Sequence, residues 1–154
     1  MSEVVETDGA PFFARVRVGR VVEVRAHRLW TSADITKLRD EVFAAMRGTG
    51  PDAVICADYR NASALSREAA DAWSQAMRES NPMLTRSAIL VGTTNTILNL
   101  QIERILRCSG DRHRRRLFSS VAELREWVGP ILTRSEREAA AAFLTCPPPT
   151  HPGG

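Results

Sequence analysis

The chain has 154 residues, of which 44% are hydrophobic and 25% are charged, and its formal net charge is +3 at pH 7. This composition is typical of one soluble globular domain, and a chain of this length buries about 68–70% of its unfolded surface without help from a metal or disulfide. No apolar run approaches the roughly 20 residues of a membrane helix, and the first residues lack a signal-peptide pattern, so we expect a cytoplasmic protein. Three widely spaced cysteines without a CxxC pair argue against a disulfide framework and a zinc site.

Two short alternating segments begin the predicted fold. Residues 12–18 and 21–27 each alternate apolar and polar side chains, which is typical of strands. Gly19 and Arg20 lie between them, and glycine supplies the positive φ that the first central residue of a type II′ turn requires. We therefore predict an antiparallel hairpin at the start of the sheet.

An alternation of strands and amphipathic helices follows the hairpin. The apolar runs at 53–58 and 87–91 predict strands covered on both faces, and 115–118 predicts a short fifth strand. Helix starts are predicted at the capping residues Thr31, Ser66, Ser120 and Thr133, and a further start follows the turn Gly92-Thr93-Thr94-Asn95, which contains several good capping residues. This order predicts an α/β fold with a mixed β-sheet of about five strands, opened by an antiparallel hairpin, and four to five helices.

The predicted organisation is one domain over residues 12–132, preceded by a flexible segment at 1–11. An Ala-rich helix over 133–144 follows, and the Pro- and Gly-rich composition of 145–154 predicts a disordered tail. Arg39 lies close to the apolar face of the first helix. It is either a side chain that extends to the rim or a buried charge partner of Asp58.

Catalytic signatures are missing from the sequence. It has no G-x-S-x-G elbow, no P-loop and no G-x-G-x-x-G turn. Its histidines are His27, His113 and His151, none of them at triad or ligand spacing from a suitable companion. We therefore predict no enzyme activity, no metal and no cofactor.

Arginine supplies almost all of the positive charge, because Lys37 is the single lysine, and this bias suggests a bacterial source with a GC-rich genome. The strongest cluster consists of six candidate anion-binding residues: Arg104, Arg107, Arg112, Arg114, Arg115 and Arg116. Such a cluster could bind nucleic-acid phosphates or anionic lipid headgroups. No aromatic residues interleave with these arginines to stack on bases, so nucleic acid ranks third among the functions considered.

Polar residues follow the two central predicted strands: Asp58, Asn61, Thr93, Thr94 and Asn95. Ligands of open α/β sheets bind in the crevice outside the carboxyl ends of parallel strands, so these residues are candidates for a small-ligand site. The same residue types also form ordinary caps and turns. Leu100 is predicted to be exposed on the helix that follows, where it could contact a partner.

The element order, with an aspartate after an apolar third strand, resembles the STAS domains, in particular their SpoIIAA-like branch related to anti-sigma-factor antagonists. The resemblance covers residues 12–132. Its best local matches are AVICADYRNASALS at 53–66, SAILVGTTN at 87–95 and RRLFSSVAELREWV at 115–128.

The resemblance implies a non-enzymatic regulatory or scaffold module that acts through protein–protein binding. In related proteins a loop serine at the start of the second helix is phosphorylated, and the added charge changes the affinity for a partner. Here that position falls on Arg67 or Glu68, and the nearest hydroxyls belong to Ser63 and Ser66. We expect a partner surface formed by the loop 59–66, the following helix and Leu100.

Two alternatives remain open from the sequence. A small-ligand or lipid-binding module would use the crevice instead, and a homodimer is compatible with the same fold.

Overall fold

A five-stranded sheet forms the centre of the computed structural model, which describes residues 12–27, 31–110 and 113–145. Its strands are β1 (Phe12–Val16), β2 (Val21–Ala26), β3 (Ala53–Asp58), β4 (Leu84–Leu90) and β5 (Arg115–Phe118). The helices are α1 (Ser32–Thr49), α2 (Arg67–Ser80), α3 (Thr96–Cys108), α4 (Val121–Val128) and α5 (Arg134–Thr145). Short 3₁₀ turns at Asn81–Met83 and Gly129–Ile131 follow α2 and α4. In this part of the chain, no helix has both the length and the apolar character needed to cross a membrane.

The strands lie side by side in chain order, from β1 to β5. The pair β1–β2 is antiparallel, and the pairs β2–β3, β3–β4 and β4–β5 are parallel. The predicted mixed sheet opened by a hairpin is therefore confirmed. Because each parallel pair advances the sheet in the same direction, right-handed crossovers place α1, α2 and α3 on one face.

The hairpin turn depends on Gly19, as predicted. Gly19 has φ +58°, and the amide of Val21 donates to the carbonyl of Val18 over 3.4 Å. A Cβ at Gly19 would also overlap the carboxylate of Glu136, which accepts a hydrogen bond from the amide of Arg20 at 2.9 Å. The turn is thus held by the start of α5, far away in the sequence.

The larger core lies between the sheet and α1, α2 and α3. The apolar positions predicted for these helices are buried there, including Ile35, Ile102 and Met46. Of the two positions predicted for Arg39, the structure shows the one at the rim of α1 and not the buried one beside Asp58. Arg39 forms an ion pair with Glu79 and places its guanidinium 4.9 Å from the centre of the Phe43 ring.

A second core covers the opposite face of the sheet, where α4 and α5 pack. Leu124 and Val128 of α4 and Phe143 and Leu144 of α5 are buried against the strands. The sequence places α5 beyond a domain that ends at Leu132, yet this helix supplies part of the core. The predicted flexible segment 1–11 and the tail after Thr145 lie outside the described residues.

Candidate binding site at the carboxyl ends of the central strands

Asp58 ends β3, the middle strand, and is only 1% exposed. Its carboxylate accepts hydrogen bonds from the amide of Arg60 at 3.1 Å, from Nε and Nη2 of Arg60 at 2.9 Å each, and from Nε of Arg25 at 3.2 Å. Burial by itself raises the pKa of Asp58, but the hydrogen bonds from Arg60 and the charges of both arginines outweigh it and hold this pKa below its usual range. Asp58 is therefore an anion that the protein itself neutralises.

The same two arginines hold the last turn of α5. Arg25 donates to the carbonyl oxygen of Phe143 at 2.8 Å, and Arg60 donates to that of Leu144 at 2.9 Å. Carbonyls at a helix C-terminus lack helical partners and carry partial negative charge, so guanidinium groups stabilise them. Arg25 also lies 4.4 Å from the centre of the Phe143 ring. Asp58 and α5 thus form one connected structure.

Acid is expected to weaken this attachment of α5. Burial by itself raises the pKa of Glu136. Hydrogen bonds from the amides of Arg20 and Thr133 and from the Thr133 hydroxyl lower this pKa by more than burial raises it. The pKa of Glu136, like that of Asp58, therefore lies below the usual range. A lowered pKa contributes stability that is present above the unfolded-state value of about 4 and is lost as the pH falls through the folded-state value.

We therefore expect the free energy of unfolding, measured with urea and tryptophan fluorescence, to decrease between about pH 5 and pH 2. The decrease should be smaller in an Asp58→Asn variant, which has one fewer titrating carboxylate. A stability that stays constant over this range, or an identical decrease in both proteins, would contradict the assignment.

Two side-chain amides from the α3 region fix the loop between β3 and α2. The Gln101 amide accepts from the Leu65 amide at 2.9 Å and donates to the Leu65 carbonyl at 2.8 Å. Asn95 donates to the carbonyl of Ala62 at 2.8 Å. Both contacts connect distant backbone segments, so the loop and α3 form one rigid edge of the molecule.

The structure brings the predicted crevice residues to this edge, because Asp58 pairs in register with Leu90 at the end of β4. They differ in what their side chains do. Asp58 is neutralised internally, and Asn95 caps α3 by accepting from the amide of Leu98 at 3.2 Å. Three others are exposed turn residues: Asn61, Thr93 and Thr94. The side chains of Asp58 and Asn95 thus already have hydrogen-bond partners within the protein.

Ser63 and Ser66 have different surroundings. Ser66 caps α2 as predicted, because its Oγ accepts from the amide of Ala69 at 3.1 Å. The Oγ of Ser63 is buried and has no hydrogen-bond partner among the described residues. Arg67 and Glu68, at the position of the predicted phosphoacceptor, are exposed. One hydroxyl is thus used in a helix cap and the other is enclosed.

An exposed aliphatic pair lies on α3 beside this loop. Leu100 is 60% exposed, as predicted, and Ile97 is 65% exposed. Residues three apart share one side of a helix, so the two side chains are neighbours. The opposite side of α3 is buried and consists of Leu98, Ile102, Ile105 and Leu106. The pair is therefore an apolar surface that residues 12–27, 31–110 and 113–145 leave exposed.

The predicted arginine cluster is divided by the structure. Arg115 is only 6% exposed and donates to Asn81 Oδ1 and Ser80 Oγ at 2.7 Å each and to Ser87 Oγ at 3.3 Å. Alternation along β5 directs this side chain into the core beneath α2. Arg115 therefore does not belong to an accessible anion-binding surface.

The other arginines of the cluster lie on different elements, with Arg104 and Arg107 on α3, Arg114 directly before β5 and Arg116 within β5. The exposed ones are Arg104, Arg107, Arg114 and Arg116. Arg114 donates to the carbonyl of Asn81 at 2.8 Å, and Arg116 lies 5.8 Å from the centre of the Trp127 ring. Arg112 lies outside the described residues.

An apolar cavity of about 50 Å³ lies away from the crevice, between α1, α2 and the sheet. Its lining includes Tyr59 and Trp73, whose rings pack edge to face at 5.0 Å, and Arg115. Small-molecule sites usually measure about 300–1,000 Å³, whereas a water molecule needs about 10–15 Å³. The cavity has room for a few waters but not for a lipid.

Comparison with known proteins adds no relative: no protein-family model, no curated protein and no solved structure matches this chain. The resemblance to STAS domains therefore stays a prediction. What the structure itself defines is an α/β domain with helices on both faces of a mixed sheet and an exposed aliphatic pair beside a fixed loop.

Two features of this edge and one of the sheet were not predicted from the sequence. Ile97 could have been found from its helical spacing, since it lies outside the buried side of α3. The Gln101 clamp has no local signal, because its partner is 36 residues away. The third feature lies on β2, where Glu23 and Arg25 are buried. This burial could have been suspected, because two amphipathic helices after the last strand must cover the second face of the sheet.

Proposed function

We propose that this protein is a non-enzymatic regulatory or scaffold module that binds a protein partner through the edge formed by the loop 59–66, the start of α2 and the exposed side of α3. One observation carries the proposal: Ile97 and Leu100, 65% and 60% exposed, lie together beside a loop that Gln101 holds in place. Exposed aliphatic residues on a rigid support can bind a partner with little loss of conformational freedom.

The surroundings of the pair have the composition of a binding surface. Apart from Ala64, the exposed residues of the loop 59–66, the start of α2 and the turn before α3 are polar: Asn61, Arg67, Glu68, Thr93 and Thr94. Protein interfaces commonly combine an apolar centre with a polar rim. The loop 59–66 and α3 therefore support protein binding better than they support a small-ligand site.

We propose binding instead of catalysis for the described residues. They contain no group of three or more His, Cys, Asp or Glu side chains that could hold a metal ion. Burial raises the pKa of the Cys56 thiol to about 12, so this cysteine is not a thiolate nucleophile at neutral pH. Among the described residues, Cys56 and Cys108 form no disulfide.

A double substitution, Ile97→Ser with Leu100→Ser, tests the proposal. We expect it to weaken partner binding at least about tenfold, because each exposed anchor in the centre of an interface contributes on the order of 1–2 kcal/mol. Partners retained from the native host are identified by quantitative mass spectrometry, and the affinity of the purified partner is then measured by calorimetry. The free energy of unfolding should change by less than about 0.5 kcal/mol per substitution, since both side chains are exposed.

Val16→Ser is the matched control, because Val16 is 36% exposed and lies on β1, at the other end of the sheet order. This variant should bind the partner like the wild type. A partner that binds the double variant with unchanged affinity, or a wild-type protein that retains no partner, would refute the proposed surface.

A further inference from the structure

The two outer strands of the sheet, β1 and β5, differ in whether their outward backbone groups already have a hydrogen-bond partner among the described residues. At the β1 edge, the amide of Ala14 donates to the carboxylate of Glu41 on α1 at 3.2 Å, so a side chain occupies a donor that another strand would need. At the β5 edge, the carbonyl of Arg114 accepts from the amide of Ser87 in β4 at 2.6 Å, and that of Phe118 accepts from the amide of Val91, directly after β4, at 2.9 Å. Alternation along the strand then turns the amide and carbonyl of Leu117 away from β4, toward the outer edge.

Surface depressions lie on both sides of β5. The one on the α3 side is lined by Glu103 and Arg107, and the one on the α4 side by Glu123 and Glu126. Arg116 lines both depressions. Within the described residues no strand pairs with the outer side of β5. A strand edge between two depressions is the arrangement by which proteins add a further β-strand, with backbone hydrogen bonds at the edge and side chains on alternate faces.

The charges in these depressions favour one kind of added strand. Each depression contains both acidic and basic side chains, so a peptide of a single charge sign would meet like charge on either face. In a two-fold interface the same patch lies on both partners, so a patch of a single charge sign repels its own copy, whereas a patch of mixed sign can pair opposite charges. Mixed charge on both faces of β5 therefore favours a second copy of this chain over a peptide of one charge sign.

We propose that this protein forms a symmetric homodimer through antiparallel pairing of β5 with β5 of a second copy, which makes the two five-stranded sheets continuous. The outward amide and carbonyl of Leu117 exchange two hydrogen bonds with the same groups of the second copy. Arg116 then lies near the Glu123 and Glu126 side of the other chain, and Arg107 near its Glu103. The packing of Arg116 on Trp127 places its charge on the α4 face of the sheet, the face on which Glu123 and Glu126 of the second copy also lie in this arrangement.

Sedimentation equilibrium over micromolar to millimolar concentrations tests the dimer. The wild type should show a monomer–dimer equilibrium, and a weak one, because β5 has only 4 residues and small interfaces are usually transient. Leu117→Pro removes the outward N–H without removing a hydrogen bond to β4, a substitution that edge strands tolerate. We expect it to raise the dissociation constant at least tenfold. Leu117→Ala, which keeps the N–H, is the matched control and should still form dimers.

A charge exchange tests the pairing of the faces. Arg116→Glu alone should weaken the dimer, since the new carboxylate faces Glu123 and Glu126 of the second copy. Mixing Arg116→Glu with Glu126→Arg should favour the heterodimer over either homodimer in native mass spectrometry. A wild type that remains monomeric from micromolar to millimolar concentration would overturn the proposal. So would a wild type whose β5 edge binds extended peptides but not a second copy of the chain. A folded Leu117→Pro protein that dimerises as well as Leu117→Ala would do so too.

Discussion

Replacing Asp58 by alanine is expected to lower the free energy of unfolding by about 3–5 kcal/mol, because removing one partner of a buried ion pair leaves the other charge uncompensated. The side chain of Arg25 is only 7% exposed and forms an ion pair with Asp58 at 3.2 Å. The substitution also releases Arg60, which uses the same carboxylate while it holds the Leu144 carbonyl. Urea unfolding at neutral pH, followed by far-ultraviolet circular dichroism, measures the loss.

Two further variants separate the charge effect from general damage. Asp40→Ala removes an exposed carboxylate, 67% exposed, that pairs with Arg39, and it should change stability by less than about 1 kcal/mol. The double substitution Asp58→Leu with Arg25→Met removes both buried charges, and it should recover much of the stability lost in Asp58→Ala. A loss of less than 1 kcal/mol in Asp58→Ala, or no recovery in the double variant, would contradict this role of the ion pair.

Neighbouring arginines on β5 are expected to differ strongly when each is replaced by alanine. Arg115→Ala should cost about 3 kcal/mol or more, because it leaves a cavity and removes the donor from several buried acceptors. Those acceptors are the side chains of Ser80, Asn81 and Ser87 and the carbonyl of Met77. Arg116→Ala should cost less than about 1 kcal/mol, since it removes only an exposed cation from the Trp127 ring.

The two free energies of unfolding are compared by urea unfolding under identical conditions. Each variant serves as the control for the other, because both lose the same side chain from the same strand. Equal losses would mean that Arg115 does not have the buried role that its hydrogen bonds indicate. The comparison also distinguishes a structural arginine from surface arginines that sequence composition treats alike.

Most elements of the fold could be predicted because their signals act over a few residues. Thr31 and Asp34 form the predicted capping box of α1, and Asn95 caps α3. The bounds of β3 match the predicted run at 53–58. β4 begins three residues before the predicted 87–91, since Thr85 and Arg86 interrupt the apolar pattern while Leu84 and Arg86 still pair with β3, on either side of a register shift at Thr85.

The candidate edge was predicted in part for the same reason. Parallel strands end together, so the sequence could place Asp58 near Thr93 without knowing any contact. It could not decide which polar groups stay available. Asp58 and Asn95 are engaged by Arg25, Arg60 and Ala62, and those contacts come from separate segments of the chain.

The order of the strands and helices along the chain, the hairpin at Gly19 and the helix caps follow from the amino-acid sequence, because caps, turns and apolar periodicity depend on neighbouring residues. The burial of Glu23, Arg25 and Asp58, and the inward position of Arg115 next to an exposed Arg116, come from contacts between distant segments of the chain. Whether a polar strand face meets water or protein depends on which distant helix covers it, and here that helix is α5. Ile97 and Leu100 stay exposed for the same reason, since no other described element covers that side of α3.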